Sequence, residues 1–176
     1  LIEVPYKSLP HVTDVDEAVG KGAPVIHDHI VTEGLPEMQA ATNQNKQAEY
    51  GHGDVEAGFK EADVIVERSY KTEQTHQGYI EPHASVAMWN EDGRLKIWTA
   101  TQGAFNARQQ TAELLQMPVS NVTVVPCEIG GGFGGKIIVY LEPVAALLSR
   151  QCGRPVKLTM QRNEVFEGTG PTPGSY

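Results

Sequence analysis

Residues 128–140 read EIGGGFGGKIIVY, with five glycines and one phenylalanine in positions 130–135. Neither a helix nor a strand tolerates such a run, because glycine loses the most backbone entropy on ordering and gives a core nothing to pack. Regular structure must therefore be built on either side of it. A strained strand-to-helix turn, with Phe133 as an ordinary core residue, accounts for one or two of the glycines but not for five. The excess points to close approach, a backbone stripped of side chains so that something can lie against it.

Two phosphate-binding patterns fit the letters. Gly130, Gly132 and Gly135 match G-x-G-x-x-G, while Gly130, Gly135 and Lys136 match G-x-x-x-x-G-K-[ST] except at its last position. That last position must hold magnesium through a hydroxyl, and here it is Ile137, which cannot ligate a hard cation. The dinucleotide pattern needs a helix opening directly from the glycines and a carboxylate about 20 residues on. That window holds Cys152, Gly153, Arg154 and Pro155, with no acid.

The 176 residues carry 22 Asp and Glu against 14 scattered Lys and Arg, a formal charge of -8, which argues against a nucleic-acid surface. No apolar run approaches a membrane span and no signal peptide is visible, though in a piece of a longer chain that means little; the expected setting is cytoplasmic. The chain opens at Leu1 directly into a strand-like run, and reads as a piece of a longer polypeptide. Cys127 and Cys152 are the only cysteines, in no metal-binding spacing, and are expected as buried free thiols, with a disulfide between them as the alternative. The six histidines are dispersed and read as loop or satisfied core residues; His76 and His83 flank QGYIEP.

Along the chain, residues 1–10 alternate like a strand and DVDEAVG, from Asp14, reads as a short capped helix. Residues 31–53, with Gly34 and Pro36, look like a surface linker. Asp54 can cap a helix with Val55, Phe59 and Ala62 on one face, and VIVERSY then reads as a strand. Residues 83–100 form the clearest hairpin, two alternating runs joined at Asn90, Glu91, Asp92 and Gly93. FNARQQTAELLQM is an amphipathic helix, NVTVVP a buried strand, EPVAALLSRQC a helix with Pro143 in its first turn, and PVKLTMQ another strand. The pattern predicts an α+β fold, a mixed sheet with helices, with the glycine loop between a strand and the segment leading to a helix.

The succession YIEPHASVAMW, IWTATQGAFNARQQTAELLQMP, NVTVVPCEIGGGFGGK and GRPVKLTMQRNEVF resembles the molybdopterin-binding large subunit of the xanthine dehydrogenase/aldehyde oxidase family, the molybdenum hydroxylases. Four such segments in order carry the resemblance, which covers nearly the whole chain. It implies that residues 1–30 are the end of an α/β-hammerhead domain, 31–53 a linker, and 54–176 the first part of the molybdopterin-binding domain.

The resemblance also implies a use for the glycines. In that family the metal is held by the cofactor's dithiolene sulfurs, and the protein acts through hydrogen bonds around it. Gly132, Phe133, Gly134 and Gly135 then offer backbone N–H groups to the cofactor; Phe133 matches the phenylalanine beside the substrate channel and Gly134 the glycine whose amide faces the metal. Gln102 matches the glutamine that hydrogen-bonds the metal's oxo ligand; without the resemblance it reads equally as a cap of the following helix. The implied reaction is hydroxylation, with water, of an aldehyde or N-heterocycle carbon, electrons leaving through iron–sulfur clusters and FAD on other domains or subunits. The family's catalytic glutamate lies beyond Tyr176, and Glu81, Glu128 and Glu142, read as parts of structural elements, do not replace it, so this chain alone is expected to be inactive. Ile137 stands where purine-oxidising members carry glutamate, which favours an apolar substrate such as an aldehyde. A non-catalytic interaction module or pseudoenzyme of the same fold is the alternative.

Overall fold

The computed structural model of the protein describes residues 3–34, 40–170 and 172–175. It separates into two compact units, Leu1–Val66 and Glu67–Tyr176.

The first unit has little regular structure. Helix α1 (Val15–Ala18) is capped by Asp14, whose side chain accepts from Glu17 N, and α2 (Val55–Glu61) by Asp54, which accepts from Ala57 N. Each cap satisfies one of the orphan donors at a helix start. In place of a sheet, Asn43 staples the irregular chain: its Nδ2 donates to Ala18 O and Pro24 O, and its Oδ1 accepts from Ile26 N. The strand expected at the start does not form over residues 3–10, and Leu1 and Ile2 lie outside the described residues, as does Pro36 of the expected linker. Nor is VIVERSY a strand; Val64, Ile65, Val66 and Tyr70 are all exposed. Both segments have the local composition of a strand, but no neighbouring strand hydrogen-bonds to them among the described residues, and a lone strand leaves its backbone groups unpaired. Helix α2 and the rest of residues 54–66 fall in this first unit, and residues 67–176 of the segment beginning at residue 54 make up the second.

The second unit is built on a four-stranded mixed sheet in the order β3-β2-β1-β4. The hairpin strands β1 (Ala84–Trp89) and β2 (Leu95–Thr99) pair antiparallel, with Trp89 opposite Leu95, and Gly93 takes the positive φ that closes the turn. β2 runs parallel to β3 (Val122–Pro126), and β1 antiparallel to β4 (Val156–Thr159). A parallel pair needs a crossover, which is supplied by α3 (Ala104–Leu114). Helix α4 (Glu142–Cys152), with Pro143 in its first turn and Gly153 in the left-handed conformation as its stop, packs beside α3.

Ala87, Leu95, Ile97 and Val122 from the strands meet Ala112 of α3 and Ala145 and Ala146 of α4 in one core cluster. Small residues on the helices let their backbones lie close to the sheet. Two buried polar residues of α4 are fully used there: Ser149 Oγ accepts from Trp89 N and donates to Arg154 O, and Glu142 accepts from Thr99 Oγ1 (2.6 Å) and Tyr140 N. Ala146→Leu should overpack this seam and destabilise the protein by about 1–3 kcal/mol, read as a lowered denaturant midpoint. Val144→Ala, on the half-exposed outer face of the same helix, should change the midpoint little.

A fifth helix, α5 (Arg162–Gly168), opens with a capping box in which Gln161 and Glu164 bond each other's backbone N–H. Cys127 and Cys152 are free as expected, but exposed where burial was anticipated; one follows the end of β3 and the other sits in the last turn of α4. No helix among the described residues is long and apolar enough to cross a membrane.

Candidate functional site

The glycine segment runs between the end of β3 and the start of α4 and contains no regular element. Its tip is a tight turn closed by Gly135 N–H donating to Gly132 O (2.7 Å), with Phe133 (φ 50°) and Gly134 (φ 89°) as the two central residues. Two successive positive φ values are those of a type I′ turn. Phe133 is an uncommon occupant of that region, and its side chain gains no burial in exchange: the residue is 72% exposed.

What approaches the loop on its inner side is the rest of the chain. A Cβ on Gly132 would stand 2.4 Å from Gln102 Oε1, one on Gly135 2.7 Å from the Tyr79 ring, and one on Gly130 2.8 Å from Glu81 Cβ. These three glycines make room for three side chains. Gly134 is different, since a Cβ there would meet nothing within 4 Å.

Gln102 follows β2 at the start of α3 and is joined to the loop on both backbone and side chain. Its N–H donates to Lys136 O (2.8 Å), while its Oε1 accepts from Gly134 N (3.0 Å) and Lys136 N (3.2 Å). Two donors converging on one atom identify that atom as the carbonyl oxygen, so Nε2 is the end turned away from both. Gln102 does not cap α3. The cap is Gly103, whose N–H goes to Thr101 Oγ1.

The four loop amides singled out from the sequence thus differ. Gly134 N–H is taken by Gln102 and Gly135 N–H by Gly132, whereas Gly132 and Phe133 N–H meet no acceptor among the described residues. Near Gly135, where a Cβ would stand 3.3 Å from the Gln77 amide carbon, Gln77 Oε1 is buried without a partner among the described residues.

Lys136 is buried, and its Nζ lies 2.6 Å from Glu81 Oε2 and 4.9 Å from the centre of the Tyr79 ring. A lysine so enclosed cannot reach a phosphate, a further reason against the nucleotide patterns. Glu81 Oε2 also accepts from Gly130 N (2.8 Å), so one carboxylate oxygen gathers both ends of the loop. Burial pushes the Glu81 pKa up, but the Lys136 ammonium and the Gly130 N–H outweigh it and hold the carboxyl below its ordinary value. Glu81 lies in a loop rather than in a helix or strand, and Arg162 of α5 braces that loop by donating to Tyr79 O and Ile80 O.

Behind Tyr79 lies a chain of polar contacts. Gly78 N–H donates to His76 Nδ1, so His76 Nε2 carries a proton toward Thr169 Oγ1; Thr169 donates to Val165 O. Tyr79 OH lies 2.7 Å from His83 Nε2 and 3.2 Å from Thr169 Oγ1, so it donates to one of them, and His83 is the acceptor or the donor according to its tautomer. Burial, then the nearby Lys136 charge, lower the His83 pKa against the opposing pull of Glu142 and Glu81; His76 adds to the lowering. A depressed histidine contributes stability that is complete above its ordinary 6.5 and is lost as pH falls through the lowered value; Glu81 does the same below 4.5. The denaturant midpoint should therefore fall in acid in two stages, the first beginning below pH 6.5. His83→Gln, which keeps a hydrogen-bonding side chain for Tyr79 but does not titrate, should weaken that first stage.

The family resemblance brings Gln102 and the glycine loop together, and His83 reads with the other histidines as a loop or satisfied core residue. Sequence reasoning missed Glu81, Lys136 and Tyr79 as the loop's supports. The available signal was a lysine ending a glycine loop that lacks the hydroxyl a phosphate site requires. Among the described residues no group of three His, Cys, Asp or Glu side chains is placed to hold a metal ion.

The chain belongs to the molybdopterin cofactor-binding domain family, whose model matches residues 38–175. It is 34% identical to the "Probable hypoxanthine oxidase XdhD" of Escherichia coli O157:H7, over 94% of this chain and 20% of that protein. It is 32% identical to the nicotinate dehydrogenase large molybdopterin subunit of Eubacterium barkeri, over 93% of this chain and 36% of that protein. Among solved structures, quinoline 2-oxidoreductase from Pseudomonas putida 86 superimposes with a TM-score of 0.77 at 26% identity, covering 93% of this chain and 20% of that one. The chain spans between a fifth and about a third of the length of these relatives.

Proposed function

We propose that this chain forms one wall of the cofactor site in a molybdenum hydroxylase that oxidises an aldehyde or N-heterocycle carbon with water. The observation that carries the reading is Gln102: two loop amides hold its carbonyl oxygen, leaving its Nε2 donor turned outward beside a loop with open space at Gly134. The site's donor set fits an oxygen-rich group. Gln102 Nε2 and the N–H groups of Gly132 and Phe133 are donors without acceptors among the described residues, and the unpaired Gln77 oxygen marks the same region as incomplete.

When bound, molybdopterin supplies the metal and the two-electron chemistry. Gln102 Nε2 orients an oxygen on that group, and Gly132 and Phe133 N–H add donors that need no reorganisation during the reaction. Phe133 and Ile137 present apolar surface next to these donors, which suits a more apolar substrate, such as an aldehyde, better than a purine rich in polar groups. The names of the relatives keep N-heterocycles in the substrate class. Glu81 and Glu142 are committed to Lys136 and to Thr99 and Tyr140, so neither serves as the general base. That role, the remaining cofactor contacts, and electron transfer through iron–sulfur and flavin partners belong to other parts of the enzyme.

The test is to purify the intact protein from a cofactor-producing host and measure molybdenum, pterin and dye reduction. Stoichiometric metal and pterin are expected, with benzaldehyde or quinoline oxidised faster than xanthine. A folded intact protein without either would overturn the reading and favour a non-catalytic module. The isolated chain should hold the cofactor weakly or not at all, because a single wall leaves the cofactor's polar groups in water; stoichiometric molybdenum on it would show a self-sufficient site.

A further inference from the structure

We infer that Glu81 is a positioning residue for Gln102, acting through Lys136; the inference rests on the function proposed above. The connection is continuous. Glu81 Oε2 accepts from Lys136 Nζ and from Gly130 N, closing the loop 130–136 on a single oxygen atom. Lys136 in turn meets Gln102 twice through its backbone, its C=O receiving Gln102 N–H and its N–H reaching Gln102 Oε1. The amide of Gln102 therefore points outward because Lys136 is held; Thr101 Oγ1 holds its carbonyl, and among the described residues Glu81 is the one carboxylate that pairs with its buried ammonium.

Removing Glu81 strands that charge. A buried ammonium without a partner must reach solvent or lose its proton. The first moves the Lys136 backbone, and with it both contacts that aim Gln102. Loss of the Gly130 tether frees the other end of the loop at the same time. In Glu81→Gln a carbonyl oxygen can still accept from both donors, so this variant loses the charge but keeps the geometry. In Glu81→Asp the charge stays but is withdrawn by one methylene, so a single oxygen no longer spans Gly130 and Lys136.

The experiment uses the intact holoprotein with three readouts: hydrogen exchange at the Gly134 and Lys136 amides, molybdenum content, and kcat per bound molybdenum. Glu81→Ala should accelerate exchange at both amides and lower kcat per molybdenum by about tenfold or more, in the direction of a lost aligned donor. Glu81→Gln should stay within about threefold of the parent. The decisive arm is coupling: in a Gln102→Ala background, Glu81→Ala should lower kcat no further. A residue that merely stabilises the fold would leave kcat per bound molybdenum unchanged, or would multiply with Gln102→Ala; either result overturns the inference. Should Glu81→Ala fail to fold, Glu81→Asp decides by the same readouts, with faster exchange and a coupled, severalfold loss of kcat expected and parental values overturning it. If the parent protein holds no molybdenum, the proposed function falls, while the exchange arm still reads whether Glu81 holds the amides that aim Gln102.

Discussion

Gln102→Ala in the intact protein is expected to lower turnover about a hundredfold or more, the scale of losing one preorganised donor at a charge-developing site. Alanine removes two things at once, the outward Nε2 donor and the Oε1 acceptor that holds Gly134 N and Lys136 N. Gln102→Glu separates them. A carboxylate oxygen still accepts from both loop amides, so the loop stays closed, but the outward end becomes an acceptor in place of a donor. Both variants should therefore lose turnover, while only the alanine variant should show faster exchange at the two amides. Molybdenum content should fall much less than turnover in both. Unchanged turnover with full metal loading would show that Gln102 serves the loop alone.

The parts of the fold legible from sequence were those decided locally. Alternation on both sides of Asp92 and Gly93 is enough to specify the hairpin of β1 and β2, and Pro143 with Gly153 brackets α4 by backbone preference alone. The failures share one cause. Residues 3–10 and 64–70 alternate or are β-branched, yet a strand exists only if a neighbour offers its backbone, and that is a property of distant sequence. Helix α5 went unread because its capping box begins with glutamine rather than serine or threonine, and its first turn lies against the Tyr79 loop through Arg162.

The same division runs through the site. That the backbone at positions 130–135 must be closely approached was legible, because no other role requires so many glycines. What approaches was only half legible. Gly130, Gly132 and Gly135 yield to Glu81, Gln102 and Tyr79, side chains from distant segments of the chain whose arrival no local pattern announces. A glycine count therefore overstates the space left for a ligand. Gly134, at the tip and clear of its own chain, is the position where a ligand's demand can be isolated.

Gly134→Ala should remove molybdenum or activity from an otherwise folded intact protein. Gly93 provides a matched control. The two residues have nearly the same φ, 89° and 82°, and a Cβ at either meets nothing within 4 Å. Alanine therefore introduces the same backbone strain at both, roughly 1–2 kcal/mol, and no clash with the chain at either. Any difference between the variants arises from what lies beyond the protein's own atoms at Gly134. If the cofactor rests against this backbone, the added methyl group occupies its space, and Gly134→Ala loses metal while Gly93→Ala retains both metal and turnover at equal stability. Gly132→Ala should also fail, by another route, because its Cβ would displace the Gln102 amide; that variant should show altered exchange at Lys136, which Gly134→Ala should not. Equal metal content and equal turnover in the Gly134 and Gly93 variants would mean that nothing approaches the tip, and that all five glycines serve the loop's own packing and turn.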